Sequence, residues 1–266
     1  MAADSFSASP PSPLPPPVRD PVWSDWDVLL IAAITLLTIL TLQVVIILAA
    51  HHYVFPAISW TDVAQKPVLA ILSEFLAYVG IAIFMVALVE GKYHVRFWQA
   101  IRWNWPHSEW KFLGLGVVMM VALGLLERVL PMPKSVPFDK FFEHPADAYL
   151  TSVFAVSFGP LMEELFFRGF LYPVLERRLG VVWGVILTAL PFALLHTFQF
   201  GNAWSAVLVI FIVGVVLTMV RAVTKSVAAS FLVHVGYNGT LMLLAAAATG
   251  GFRHMEKLGM VQLYLR

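Results

Sequence analysis

The stretch VLLIAAITLLTILTLQVVIILAA, residues 28–50, contains no ionisable side chain. A helix of about 20 apolar residues is long enough to cross the hydrocarbon core of a lipid bilayer. The stretch therefore predicts a transmembrane helix, and comparable apolar stretches recur from here almost to the C-terminus. The chain has about seven predicted spans in all, at residues 28–50, 68–89, 112–130, 149–175, 181–200, 204–221 and 227–248.

The composition of the chain agrees with this pattern. Hydrophobic residues make up 60% of the 266 residues and charged residues 12%, whereas soluble domains average about 45–50% apolar and about 25% charged residues. We therefore expect an all-α fold, a polytopic transmembrane helical bundle formed by residues 28–250. A disordered Pro- and Ser-rich tail is predicted at residues 1–27. A short amphipathic tail is predicted at residues 251–266, with an eighth, half-inserted element there as the alternative.

The charged residues are nearly balanced, with 17 Lys and Arg against 16 Asp and Glu. This balance gives no indication of a nucleic-acid partner, and the lipid bilayer is the partner that the apolar spans imply. The chain has no cysteine, which excludes disulfides, thiolate nucleophiles and thiolate metal ligands. Any chemistry must therefore use Glu, Asp, His, Ser or Lys side chains.

The fourth predicted span contains three charged residues in the stretch LMEELFFRGFL, residues 161–171. Ionisable side chains at this depth are rare and usually face the bundle interior or a water-filled cavity, where they mark functional sites. Glu164 and Arg168 are four residues apart, so they share a helix face and can form an ion pair. Glu163 points about 100° away from Glu164. The spacing therefore predicts that Glu163 finds its partners on other helices.

Two further spans carry polar residues that apolar packing does not explain. His196 lies in the fifth span after Pro191, which tends to kink a helix, and His234 and Asn238 share one face of the seventh span. A single intramembrane His or Asn is as easily explained as a residue that joins two helices by a hydrogen bond, and such a bond stabilises helix packing by about 0.6–2 kcal/mol. Their occurrence together with Glu163 indicates a site. Glu74, in the second span, is interpreted as a structural residue that bonds a neighbouring helix or snorkels to the interface.

Three short motifs occur in order on these spans: Glu-Glu-x-x-x-Arg at 163–168, Phe-x-x-x-His at 192–196 and His-x-x-x-Asn at 234–238. Together, with the first written EELFFRGFL, they resemble the CAAX protease and bacteriocin-processing family of intramembrane glutamic endopeptidases, also called CPBP or Abi. The resemblance covers a predicted protease core at about residues 150–240. The first 150 residues resemble only generic membrane spans.

The resemblance implies a protease that hydrolyses peptide bonds near the membrane surface with an activated water. By motif position, Glu163 is the principal base, His196 assists with the water, and His234 and Asn238 polarise the scissile carbonyl and hold its oxyanion. The resemblance also implies supporting roles for the residues at the remaining motif positions, Glu164, Arg168 and Phe192. The implied partner is a peptide or protein substrate, prenylated or bound to the membrane.

Alternatives to this mechanism stay open. A Glu and two His form a familiar catalytic zinc site, although no His-x-x-x-His or His-Glu-x-x-His pair is present on one helix. No cofactor is expected, and metal dependence is not excluded. A non-enzymatic membrane scaffold or immunity protein of the same family is the third interpretation, against which the intact motifs argue. The short loops favour a bacterial origin, with an integral multi-pass protein in the cytoplasmic membrane.

Overall fold

The computed structural model describes residues 20–133, 135–201 and 203–257, and these residues form helices and connecting turns without β-strands. Two π-helical segments, Leu88–Lys92 and Leu165–Leu171, and one 3₁₀ segment, Pro137–Phe142, join or follow the α-helices. The α-helices in chain order are α1 (Asp25–Tyr53), α2 (Trp60–Ala64), α3 (Pro67–Ala87), α4 (Phe97–Ala100), α5 (Glu109–Glu127), α6 (Pro145–Val156), α7 (Phe158–Glu164), α8 (Tyr172–Leu195), α9 (Thr197–Phe200), α10 (Trp204–Thr224) and α11 (Val227–Ala248).

Helical stretches long and apolar enough to cross a membrane make up most of the described chain, which confirms the predicted all-α, polytopic bundle. Six such stretches occur in the residues that the structure describes. They are Asp25–Tyr53, Pro67–Lys92, Glu109–Glu127, Pro145–Leu195, Trp204–Thr224 and Val227–Ala248.

The fourth of these stretches contains the fourth predicted span, 149–175, and most of the fifth, 181–200, which it leaves at Leu195. It has 51 residues, and Gly180 interrupts it with a backbone conformation (φ 79°, ψ 172°) outside the helical region. A Cβ atom on Gly184 would lie 3.1 Å from the backbone of Glu176, whereas residues eight apart in a continuous helix are separated by about 12 Å. The chain therefore reverses at Gly180, so that the six stretches contain seven helical arms.

Helix ends follow from local sequence. Ser24 caps α1, accepting a hydrogen bond from the backbone of Asp27 while the Asp27 carboxylate accepts one from the Ser24 backbone N–H. Ser226 caps α11 by accepting a hydrogen bond from the backbone N–H of Ala229. Such caps satisfy N–H groups that have no partner within the helix. The cap at Ser226 fixes where α11, the helix with His234 and Asn238, begins.

The backbones of α5 and α11 approach each other very closely. A Cβ atom on Gly116 would overlap the carbonyl oxygen of Val233 and lie 2.6 Å from the backbone nitrogen of Tyr237. A Cβ atom on Gly236 would likewise overlap the carbonyl oxygen of Leu113. Small residues allow this kind of contact between transmembrane helices. The two glycines therefore set the position of α11 in the bundle.

The ends of the described chain bear on the two predicted tails. Residues 1–19 and 258–266 lie outside the described residues. Within the predicted tail at 1–27, α1 already begins at Asp25, and the buried Trp23 donates a hydrogen bond from Nε1 to the Phe170 carbonyl over 3.0 Å. Residues 20–27 are thus packed on the bundle rather than disordered. Near the C-terminus, Phe252 is buried against Phe142.

Candidate active site

Glu164, the last residue of α7, is fully buried and accepts three hydrogen bonds. They come from Arg168 Nη1 at 2.8 Å, from His234 Nδ1 at 3.0 Å and from Ser230 Oγ at 2.6 Å. The ion pair predicted from the four-residue spacing is therefore present. A buried carboxylate is costly unless it is paired and hydrogen-bonded. The three donors meet that requirement, and two of them come from α11.

Arg168 is equally buried and connects the motif to α8 and α10. Its Nη2 donates to the Gly214 carbonyl over 3.1 Å and its Nε to Thr218 Oγ1 over 3.3 Å. The guanidinium carbon lies 4.5 Å from the centre of the Phe192 ring, a distance at which a cation is attracted to an aromatic face. Phe192, the aromatic residue of the second motif, therefore packs directly against the charged residue of the first.

Glu163 has a different environment from its neighbour. Its side chain is 24% exposed, against 0% for Glu164. Its Oε2 atom lies 3.7 Å from Nε2 of His234. His234 therefore stands between the two acids, with Nδ1 on Glu164 and Nε2 facing Glu163. Because a carboxylate paired with arginine can only accept, Nδ1 of His234 carries a proton.

A π-helical turn, Leu165–Leu171, begins directly after Glu164 and contains Arg168. Such turns are rare, and they occur frequently at functional sites. This turn differs from the ordinary helix that the apolar pattern predicts through 149–175. No residue type in LFFRGFL specifies a π-helical turn, so the sequence offers no clear signal for it.

The side chains of His196 and Asn238 each form one hydrogen bond to a backbone carbonyl. Nδ1 of His196 lies 2.7 Å from the Phe192 carbonyl, which can only accept, so this nitrogen also carries a proton and Nε2 has a free lone pair. Nδ2 of Asn238 donates to the Ala155 carbonyl over 2.7 Å. An amide group has two N–H donors. Among the described residues, the second N–H of Asn238 has no acceptor.

A cavity of about 400 Å³ brings the four predicted catalytic residues together: Glu163, His196, His234 and Asn238 all line it. Much of the remaining wall is apolar, including Ile71, Phe138, Phe141, Phe154, Leu241 and Met242. Thr151 also lines the cavity, although its hydroxyl is buried and has no hydrogen-bond partner among the described residues. Apolar pockets with a few convergent polar groups are typical of ligand sites.

The same cavity contains one acid for which the sequence favours only a structural role. Glu74 of α3 lines the wall, and it is close enough to Glu163 and His196 for electrostatic interaction. Among the described residues its one side-chain hydrogen bond comes from Tyr78 of its own helix, so the bond to a neighbouring helix, one of the two structural roles that we expected, is not found there. The sequence did offer one signal for a functional role of Glu74, because an acidic residue within a transmembrane span is taken as functional by default.

The zinc alternative requires at least three ligand side chains that converge on one point. In the described ranges, no three His, Asp or Glu side chains are placed so that they could hold a metal ion. Nδ1 of His234 is bonded to Glu164, and Nδ1 of His196 is bonded to a carbonyl. The predicted Glu and His residues thus share a cavity without forming a ligand set.

Comparison with protein-family models finds that residues 145–240 match the type II CAAX prenyl endopeptidase Rce1-like family. The matched segment contains all three motifs and agrees with the resemblance seen in the sequence. Comparisons with curated proteins and with solved structures find no match. The family match supports a CAAX-type membrane protease in general. Residues 145–240, which carry the three motifs, are therefore similar to the CAAX protease family.

Proposed function

We propose that the protein is an intramembrane endopeptidase that hydrolyses a peptide bond with a water activated by Glu163 and His196. The observation that carries this proposal is the common cavity of Glu163, His196, His234 and Asn238. Glu163 is the acid of the motif that is accessible from the cavity, whereas Glu164 is fully buried by three donors. The two adjacent glutamates therefore have separate roles, one in catalysis and one in support.

The reaction requires that both protons of the water are transferred. Glu163 accepts the first proton while the water oxygen bonds to the carbonyl carbon, and it then delivers this proton to the amide nitrogen as the C–N bond breaks. The second proton remains on the new carboxyl group. His196 takes it through its free Nε2 and passes it to the amine. The products are a carboxylate and an ammonium group, and no other reactant is needed.

His234 and Asn238 are suited to stabilise the oxyanion. Asn238 has one free N–H, and His234 donates from Nε2 when both of its ring nitrogens carry protons. The carboxylate of Glu164, 3.0 Å from Nδ1, accepts the hydrogen bond that orients this ring. A preorganised donor of this kind is typically worth about 2.7–4 kcal/mol in the transition state. This arrangement explains why a buried carboxylate with its own arginine lies behind His234.

The substrate that fits this cavity is an extended, apolar peptide segment at the membrane. The phenylalanines of the wall suit apolar side chains of such a segment. The description of the matched family names prenyl endopeptidases, and prenylated or membrane-bound peptides are therefore the first substrates to test. The short loops and compact chain favour the bacterial cytoplasmic membrane as its location.

The direct test compares wild type with Glu163→Gln, using a fluorogenic prenylated CAAX peptide and mapping of new protein termini in expressing cells. We expect Glu163→Gln to lose at least about 100-fold in rate, which is the lower range of general acid–base contributions. Glu143→Gln is the matched control, because Glu143 is an exposed acid outside the cavity. Full activity of Glu163→Gln would refute the mechanism.

Two other results would favour the alternatives. Inactivation by a chelator, reversed by added zinc, would indicate a metal-dependent protease. A stable cross-linked partner, together with an unchanged cellular effect of Glu163→Gln, would indicate a scaffold.

A further inference from the structure

Glu74 comes from α3, which is outside the family match at residues 145–240. It nevertheless lines the cavity of Glu163 and His196. Neither the motifs nor the matched family segment gives this residue a role. An acid that reaches the proposed site from a different part of the chain requires a physical explanation of its own.

Tyr78 holds the Glu74 carboxylate in place. Its hydroxyl donates to Glu74 Oε1 over 2.7 Å. The Tyr78 ring packs near Phe154 of α6 and Phe158 of α7, with ring centres 6.2 and 6.3 Å apart. Phe158 and Glu163 belong to the same short helix. The position of the Glu74 carboxylate is thereby tied to the helix that carries the proposed base.

The charges around His196 indicate what this carboxylate can do. Arg168 is neutralised by Glu164 at 2.8 Å, so that pair contributes little net charge. Glu163 and His234 face the same cavity and exchange protons or hydrogen bonds with the reacting atoms in the proposed mechanism. Besides Glu163, the acids among the described residues that line the cavity with His196 are Glu74 and Glu127, and of these two Glu74 interacts electrostatically with His196. A carboxylate beside an imidazole stabilises its protonated form, and a low dielectric strengthens the effect.

We propose that Glu74 is a positioning residue of this active site, whose carboxylate, held by Tyr78, is the counter-charge of His196 while His196 carries the second proton of the water. The role rests on the proposed function, because it concerns one proton transfer in that reaction. His196 receives the proton on Nε2, since Nδ1 is occupied by the Phe192 carbonyl. The proton then passes to the leaving amine, and Glu74 itself is unchanged at the end of the cycle.

The test uses three variants of the full chain in detergent or proteoliposomes, with the fluorogenic prenylated peptide. Glu74→Gln keeps the shape and removes the charge. It is expected to lower kcat at least about 10-fold, a part of the contribution of general acid–base catalysis, with KM within about twofold. Glu74→Asp keeps the charge and is expected to recover most of kcat. Tyr78→Phe removes only the hydroxyl and is expected to lower kcat several-fold.

The double variant Glu74→Gln/Tyr78→Phe separates a shared role from two independent ones. If Tyr78 acts through Glu74, the double variant has the kcat of Glu74→Gln alone, and multiplied losses would contradict this. An unchanged kcat in Glu74→Gln or in Tyr78→Phe, with Glu163→Gln inactive, overturns the role of Glu74 and leaves the proposed function intact. The role of Glu74 is also overturned if Glu74→Gln lowers kcat together with the melting temperature and Glu74→Asp does not recover kcat. An active Glu163→Gln variant would instead refute the proposed function.

Discussion

The buried pair of Glu164 and Arg168 shows how two charges can be accommodated inside an apolar bundle. Each carboxylate oxygen of Glu164 accepts at least one hydrogen bond, and Arg168 donates to α10 as well as to Glu164. Desolvation makes such a pair weak evidence for stability, whereas loss of one partner leaves an uncompensated buried charge. In the proposed mechanism the pair therefore supports His234, which there needs a fixed carboxylate at Nδ1.

Replacement of Arg168 by Met tests this interpretation. We expect Arg168→Met to destabilise the folded protein by about 3–5 kcal/mol, because Glu164 is left buried and unpaired. The double variant Glu164→Gln/Arg168→Met should regain much of this stability, since no net charge remains, and yet stay catalytically impaired because His234 has lost its carboxylate. Unfolding in detergent measures the first effect and peptide cleavage the second. Equal stability of the single variant and wild type would contradict this interpretation.

At the scale of secondary structure, the contact between α5 and α11 places two of the proposed catalytic residues. Gly236 lies between His234 and Asn238 on α11, and its Cα approaches the backbone of α5 too closely for a side chain. Any displacement of α11 by an added methyl group moves both donors of the proposed oxyanion site. Close packing of small residues is thus a requirement of the site as well as of the fold.

Gly236→Ala is expected to lower both stability and kcat. The added Cβ overlaps the carbonyl oxygen of Leu113 and would lie 3.1 Å from its carbonyl carbon, and overpacking of this kind typically costs about 1–3 kcal/mol. Gly124→Ala is the matched control on α5, because no atom lies within 4 Å of the position that its methyl group would take. Thermal unfolding and cleavage rates of the two variants give the comparison. Similar behaviour of both variants would mean that the close approach is unimportant.

At the scale of the whole molecule, the spans were predictable because a stretch of about 20 apolar residues is enough by itself to indicate a membrane-crossing helix. The last predicted span, 227–248, has the same limits as α11, and the ion pair of Glu164 with Arg168 followed from helical spacing alone. Contacts between distant residues were not predictable in this way. Glu74 and Glu163 are far apart in the chain, and only the packing of α3 against α7 brings them to one cavity. The π-helical turn likewise takes part in a contact between distant residues, because the Phe170 carbonyl within it accepts a hydrogen bond from Trp23.

The outer surface of the bundle gives a prediction about the molecule in its membrane. Most of α1 is exposed and apolar, and Leu40, near its middle, is 56% exposed. If this surface faces lipid, an arginine at Leu40 lies at the bilayer centre, where it costs about 2.5–3.5 kcal/mol on insertion scales. Val54 follows the last residue of α1 and is also exposed. An arginine at this position can reach the lipid headgroups.

We therefore expect Leu40→Arg to reduce the fraction of protein that stays in membranes after alkaline extraction, and Val54→Arg to have little effect. The same apolar-to-arginine change is made on one helix in both variants, so only depth in the bilayer differs. Equal retention of the two variants would indicate that this face of α1 is covered by protein. In that case the helix would belong to an interface between subunits, since an uncovered apolar face of this size is stable only in lipid.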